Sequence, residues 1–132
     1  MFYFSNIAKP KEIFMSNNLL KGKKGIISGA LDSQSIAWKV AEKCVEQGAE
    51  IVLTNAPIAM RMGAINELSE KLNAPIIPCD VTDNDQVLEL VDKSMEHFGG
   101  KFDFLLHSIG MSLNVRKGRE YTNLKYDWTH KT

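Results

Sequence analysis

The chain has 132 residues, 44% hydrophobic and 24% charged, a composition that gives one folded domain with its own core and excludes disorder and collagen-like structure. No apolar run approaches the ~18 residues needed to cross a bilayer, so a membrane-spanning segment is excluded. Sixteen basic and sixteen acidic groups cancel, yet residues 25–115 carry −7 against +4 over 1–24 and +3 over 116–132, and an acidic body argues against nucleic-acid binding.

Residues 1–14 hold the aromatic run Phe2-Tyr3-Phe4, then Lys9, Pro10 and Lys11, and a further Phe14, without periodicity. They lack the basic start, sustained apolar stretch and cleavage site of a signal peptide. Met15 opens a second plausible beginning, so residues 1–17 are expected to be a disordered extension or an upstream mis-start, with residues 18–132 forming part of one domain. Residues 25–28 (Gly-Ile-Ile-Ser) make a short strand suited to burial on both faces. A polar turn follows, and then a helical stripe of Ile36, Ala37, Val40, Ala41, Cys44 and Val45, ended by Gly48. Residues 50–54 are the second strand, with Pro57 just after it. Met62, Ile65, Leu68 and Leu72 mark a second helix. Residues 74–79 are a third strand candidate, with two prolines that weaken its ends. Asp83 and Gln86 have the spacing of a capping box. The helix behind them carries Val87, Leu88, Val91, Met95 and Phe98 on one face and stops at Gly99-Gly100. Residues 102–106 are the fourth strand. The chain ends at Trp128-Thr129-His130-Lys131-Thr132 without a stop signal, which is expected of an interruption more than of a natural terminus.

The order is βαβαβαβ, with crossovers long enough for parallel strands. It predicts an α/β, doubly wound parallel sheet of the Rossmann type, truncated after about four strands. Cys44 and Cys79, with no secretion signal, read as buried thiols in a reducing compartment, which implies a cytoplasmic protein. No metal site is expected.

In open parallel sheets a ligand binds at the carboxyl ends of the strands. Gly29 supplies a position without a side chain where backbone approaches a pyrophosphate. The helix opening at Ser35 offers unpaired N–H groups to phosphates, and the serine either caps the helix or donates a hydroxyl. The alternative is a glycine turn with a serine cap and no ligand, because G-x-G-x-x-G is absent. Thr54-Asn55-Ala56 stand where an acid often meets the ribose, so NADH and NADPH are not distinguished here. Asp80-Val81 suit an adenine, the carboxylate accepting from the exocyclic amine, or else Asp80 is a turn or capping acid. His107-Ser108-Ile109-Gly110 include small residues that let backbone pass close to a ribose and nicotinamide. His107 by itself reads as a satisfied core histidine.

Together, Ser28-Gly29-x-x-x-Ser33-x-Ser35 and His107-Ser108-Ile109-Gly110 lie over the short-chain dehydrogenase/reductase patterns T-G-x-x-x-G-x-G and N-N-A-G. With Ser35-Ile36-Ala37, the departures from those patterns resemble the divergent branch, bacterial enoyl-[acyl-carrier-protein] reductase. The resemblance covers residues 18–128 and the amino-terminal half of that enzyme. It implies that Gly29, Ser35 and Ile36 hold the pyrophosphate and neighbouring ribose, and that Asp80 and Val81 hold the adenine. Ser108, Ile109 and Gly110 would line the nicotinamide ribose, and Ser112 would stand where the acyl substrate enters. Ala56 replaces a glutamine that some relatives place near the adenosine.

The implied reaction is NADH-dependent reduction of trans-2-enoyl-[acyl-carrier-protein] to the saturated product in fatty acid elongation, by an enzyme that is typically a homotetramer. Its Tyr-x6-Lys catalytic pair has no counterpart here: Tyr121 and Tyr126 have Lys125 and Lys131 at the wrong spacings, so no catalytic residue is assigned. The chain alone is expected to be inactive, with the strand at 102–106 an unprotected apolar edge prone to association. The alternatives are a non-catalytic nucleotide-binding fragment and another short-chain reductase, such as a 3-oxoacyl reductase. The cluster Arg116, Lys117 and Arg119 reads as a solvated loop.

Overall fold

The computed structural model describes residues 17–61 and 64–110, together with Glu120 and Asn123. Residues 1–16 of the expected extension over 1–17, Met62, and the expected roles of Ser112, Arg116, Tyr121 and Tyr126 lie outside the described residues.

Three strands form the sheet. β1 (Lys24–Ser28) pairs in parallel with β2 (Glu50–Thr54), from Lys24 opposite Glu50 to Ser28 opposite Thr54. On its other side β1 pairs in parallel with β3 (Phe104–His107), Gly25 opposite Phe104 through Ser28 opposite His107. The order is β2-β1-β3. The crossovers that parallel pairing demands come from α1 (Ile36–Glu46), α2 (Pro57–Met60), α3 (Ala64–Leu72) and α4 (Asn84–Phe98).

The strand expected over 74–79 is reduced to a single bridge, Ile76 opposite Leu53. Pro75 and Pro78 have no N–H to give, so a regular ladder cannot extend through them. The segment still runs along the free side of β2. Leu53 N–H donates to the Pro75 carbonyl at 2.9 Å, Ile77 N–H to the Leu53 carbonyl at 2.9 Å, and Cys79 N–H to the Asn55 carbonyl at 3.0 Å. It therefore occupies the strand position beyond β2, and the expected doubly wound order is preserved.

Helices cover both faces. Ile27, Ile51 and Leu53 pack under Ala37, Trp38, Ala41 and Cys44 of α1 and Ile65 and Leu68 of α3. On the opposite face Ile26 and Val52 pack with Cys79 and with Leu90 and Phe98 of α4. This double coverage is why the centres of β1 (Ile26 and Ile27) and β2 (Ile51, Val52 and Leu53) are apolar on both faces, with no polar alternation.

The helical faces differ from expectation in two places. On α1 the buried stripe is Ala37, Trp38, Ala41 and Cys44, and Ile36 is 74% exposed. Trp38 fits the core because its indole N–H donates to Glu42 Oε1 at 3.1 Å, which satisfies its one polar atom. On α4 the buried stripe is Leu90, Ser94 and Phe98 with Val87 packed beside it, while Leu88 is 63% exposed and Met95 lies at the surface. A serine at the centre of the buried face displaced the periodicity read from apolar residues alone. The ends of α4 match: Asp83 accepts from the N–H groups of Asp85 at 3.0 Å and Gln86 at 3.4 Å, and Gly99 ends the helix with φ 69°.

Gly25 allows β1 and β3 to approach. A Cβ there would lie 2.6 Å from Phe104 Cδ2 and closer still to two other ring atoms. Gly25→Ala is expected to destabilise the chain by about 1–3 kcal/mol, the range for overpacking, measured by urea unfolding. Adding Phe104→Leu should recover part of that loss by making room.

Asp103, just before β3, accepts from the Lys23 ammonium at 2.8 Å and the Lys24 N–H at 2.9 Å. These partners hold its carboxyl below the ordinary value of 3.8. A depressed folded pKa means that the contribution is present above the ordinary value and is lost as pH falls through the lowered one. The urea midpoint should therefore fall between about pH 5 and pH 3, and the fall should be shallower in Asp103→Asn.

Among the described residues, no helix is long and apolar enough to cross a membrane.

Candidate functional site

The strands run parallel, so their carboxyl ends meet at one edge of the sheet, and the four loops leaving them are joined there. Gly29 N–H donates to the Thr54 carbonyl at 3.1 Å, linking the first loop to the second strand end. Ser28, buried at the end of β1, donates its hydroxyl to the Leu106 carbonyl at 2.5 Å and accepts from Ser108 N–H at 3.4 Å, linking the first strand end to the fourth loop. Asn55 donates its side-chain N–H to the Ala30 carbonyl at 2.9 Å, and its own carbonyl receives Cys79 N–H. One continuous set of bonds thus runs from the fourth loop through the first and second to the third.

Gly29 is required at this junction for a reason the sequence did not contain. Its φ is +89°, and a Cβ there would lie 2.7 Å from the Ser108 carbonyl carbon, collide with the carbonyl oxygen, and meet Ile109 Cγ1 at 3.5 Å. The absent side chain makes room for the fourth loop first. Gly29, Ser108 and Ile109, read separately from the sequence, are thereby in contact.

Of the two roles expected of Ser35, the side-chain cap is absent. It stands at the N-cap position of α1 but makes no side-chain cap bond. Its hydroxyl donates to the Asp32 carbonyl at 2.6 Å and accepts Leu31 N–H at 3.2 Å. Asp32 reinforces the turn by accepting from the N–H groups of Gln34 at 2.9 Å and Ser35 at 3.1 Å. The N–H groups of Ile36, Ala37 and Trp38 consequently have no acceptor among the described residues. They point along the axis of an eleven-residue helix, where the positive end of the dipole lies. Ile36 offers an exposed apolar side chain beside them.

After the strand position at residues 74–79, Asp80 and Val81 begin the turn into α4. Asp80 Oδ1 accepts from Thr82 N–H at 3.0 Å and the Thr82 hydroxyl at 2.7 Å. Those two bonds hold its carboxyl below the ordinary carboxylate value, so it is ionised at neutral pH. Its second oxygen accepts from no described residue. Asp80 is thus a turn acid by one oxygen only, and the helix cap is Asp83. Gln86 completes the turn, accepting from Asp80 N–H at 3.0 Å and donating to Asp83 Oδ2 at 2.9 Å. Val81 is 41% exposed.

His107 is exposed at the end of β3, which corrects its reading as a core histidine. Gly110 is exposed, and no described residue lies within 4 Å of its Cβ position. Cys44 and Cys79 are buried and free, and burial raises both thiol pKa values. Among the described residues no cluster of three or more His, Cys, Asp or Glu could hold a metal ion. Sequence reasoning missed Ser28 and Asn55 as connectors. A serine and an asparagine directly after two apolar runs were the available signals, since most buried polar groups find a partner.

The arrangement offers free backbone donors for an anionic group, a carboxylate acceptor some distance along the same edge, and two exposed aliphatic side chains. These are the parts that an elongated, doubly anionic nucleotide would use.

A family model described as enoyl-(acyl carrier protein) reductase matches residues 29–132. The chain is 39% identical over 97 residues to an enoyl-[acyl-carrier-protein] reductase [NADH] of Rhizobium meliloti, covering 73% of this chain and 35% of the relative. It is 35% identical over 107 residues to the Rickettsia typhi enzyme FabI, covering 80% and 40%. The crystal structure of a FabI–NADH complex from Alistipes finegoldii superposes with a TM-score of 0.83 at 64% identity, covering 87% of this chain and 41% of that one. The chain spans less than half the length of these relatives. Its fold is the Rossmann-like fold of these neighbours, and the chain belongs to the enoyl-(acyl carrier protein) reductase family.

Proposed function

We propose that the chain forms the NADH-binding part of an enoyl-[acyl-carrier-protein] reductase, an enzyme that reduces trans-2-enoyl-acyl-carrier-protein to the saturated acyl carrier in fatty acid elongation. The observation that carries this reading is the set of N–H groups at the start of α1 that have no acceptor among the described residues, beside a glycine turn joined to the fourth loop. The relative from Alistipes finegoldii, at 64% identity, was crystallised with NADH.

In this reading the N–H groups at Ile36 and beyond bind the pyrophosphate. Ser35 acts from behind, by keeping its hydroxyl inside the turn, and Gly29 keeps the backbone clear of the ligand. Ile36 covers the neighbouring ribose. Asp80 accepts from the adenine amine, and Val81 packs on the ring. Ser108, Ile109 and Gly110 line the nicotinamide ribose, and Ser112 lies toward the acyl entrance. NADH, when bound, supplies the hydride. The enolate oxygen that forms needs hydrogen-bond donors aimed at it, and no residue of this chain is assigned to that task. Two free, buried cysteines are in keeping with a cytoplasmic protein.

The test has two arms. The chain should bind NADH saturably in a nicotinamide-fluorescence titration, and absence of binding would overturn the reading. A chimera in which this chain replaces the matching segment of the Alistipes finegoldii enzyme should oxidise NADH with a trans-2-enoyl thioester. Activity transferred to 3-oxoacyl thioesters would assign the chain to a different reductase.

A further inference from the structure

We infer that Asn55 is the positioning residue that sets the distance between the pyrophosphate loop and the adenine loop. This rests on the dinucleotide site proposed above. Asn55 stands directly after β2, where dinucleotide-binding sheets commonly present an acid to the adenosine ribose. Here the amide is turned inward. Its Nδ2 donates to the Ala30 carbonyl at 2.9 Å, and its Oδ1 accepts Ala56 N–H at 2.8 Å. Only this orientation of the amide makes both contacts hydrogen bonds, because one partner is an acceptor and the other a donor.

The Asn55 carbonyl receives Cys79 N–H at 3.0 Å, one residue before Asp80. A single residue therefore grips the first loop through its side-chain donor, its own loop through its side-chain acceptor, and the third loop through its backbone. Ala30 is fully buried and follows Gly29, so the bond to its carbonyl fixes the turn that precedes the free N–H groups of α1. Aspartate fits the same space and keeps the acceptor for Ala56, but it has no N–H for Ala30. It would set a carboxylate oxygen against a carbonyl oxygen.

The inference is tested with Asn55→Asp and Asn55→Ala in two measurements. The first is hydrogen exchange of the peptide covering residues 29–35 in the ligand-free protein, which should speed up in both variants while exchange in α4 stays at the wild-type rate. The second is NADH titration, in which both variants should bind about five- to tenfold more weakly, the worth of one neutral hydrogen bond, with thermal midpoints close to wild type. Unchanged exchange in Asn55→Asp overturns the inference, as does wild-type NADH affinity in that variant. Loss of affinity in proportion to a general loss of stability also overturns it, reducing Asn55 to a structural role. If the wild-type chain itself binds no NADH, the proposed site falls and this inference with it, an outcome read from the wild-type titration alone.

Discussion

Gly29→Ala is expected to remove measurable NADH binding and to destabilise the chain more than any other single methyl group added at its edge. Two independent costs meet at this position. The backbone sits at φ +89°, where a side chain is strained, at a cost on the order of 1–3 kcal/mol. The added Cβ would also fall against the Ser108 carbonyl, and moving a packed backbone group costs about another 1–3 kcal/mol. The second cost is the informative one, because Ser108 can yield only by pulling the fourth loop away from the first. That movement breaks the Ser28–Ser108 bond and separates the two halves of the proposed site. Gly22 supplies the control, with φ +76° and no described residue within 4 Å of its Cβ position. Gly22→Ala should show strain alone and bind NADH as wild type does. Urea unfolding and NADH titration of both variants separate the two effects. Equal behaviour of the two would mean that the contact with Ser108 has no part in the site.

The difference between Gly29 and Gly22 also marks what could be learned from the sequence. The glycine turn, the serine opening the helix and the Asp80-Val81 pair were legible because each follows an apolar run at a place where parallel strands must end. Their partners were not. Ser28 reaches Leu106 and Ser108 across some eighty positions of sequence, and Asn55 reaches Ala30 across twenty-five. Spacing along the chain cannot express such contacts. Ser35 shows the same limit in reverse: the position was legible, but that its hydroxyl bonds Asp32 and Leu31 inside the turn was not. The errors in the helical faces have a common origin. Periodicity ranks residues by apolarity, so it admitted Ile36, Leu88 and Met95 to the buried stripes, and passed over Ser94 and Trp38. Ser94 is fully buried because it is small, and Trp38 is buried because Glu42 satisfies its N–H. The exposure of Ile36 accords with the proposed site, in which an isoleucine kept out of the core at the first position of α1 would cover a ligand bound at that helix end.

Asp80→Asn is expected to weaken NADH binding by about 10- to 100-fold, the range for losing a hydrogen bond to a charged acceptor, without altering the fold. The substitution is chosen because the two carboxylate oxygens have different tasks. Oδ1 holds the turn through the Thr82 N–H and hydroxyl, and an amide oxygen can take over both bonds. The second oxygen, which accepts from no described residue, becomes an NH2 group, so a donor would face the donor amine of adenine. A dinucleotide carrying hypoxanthine in place of adenine presents a carbonyl at that position. Its binding should be poor in the wild type, where acceptor meets acceptor, and improved in Asp80→Asn, where the new donor meets the carbonyl. The reversal of preference is the decisive readout, since a damaged turn would weaken both dinucleotides alike. The pH dependence follows from the same bonds. Thr82 keeps the Asp80 carboxyl below the ordinary value of 3.8, so its part in NADH affinity should be constant down to about pH 5 and lost only as pH falls through the lowered value. A loss of affinity centred near neutral pH would point to a different titrating group and would remove Asp80 from the adenine site.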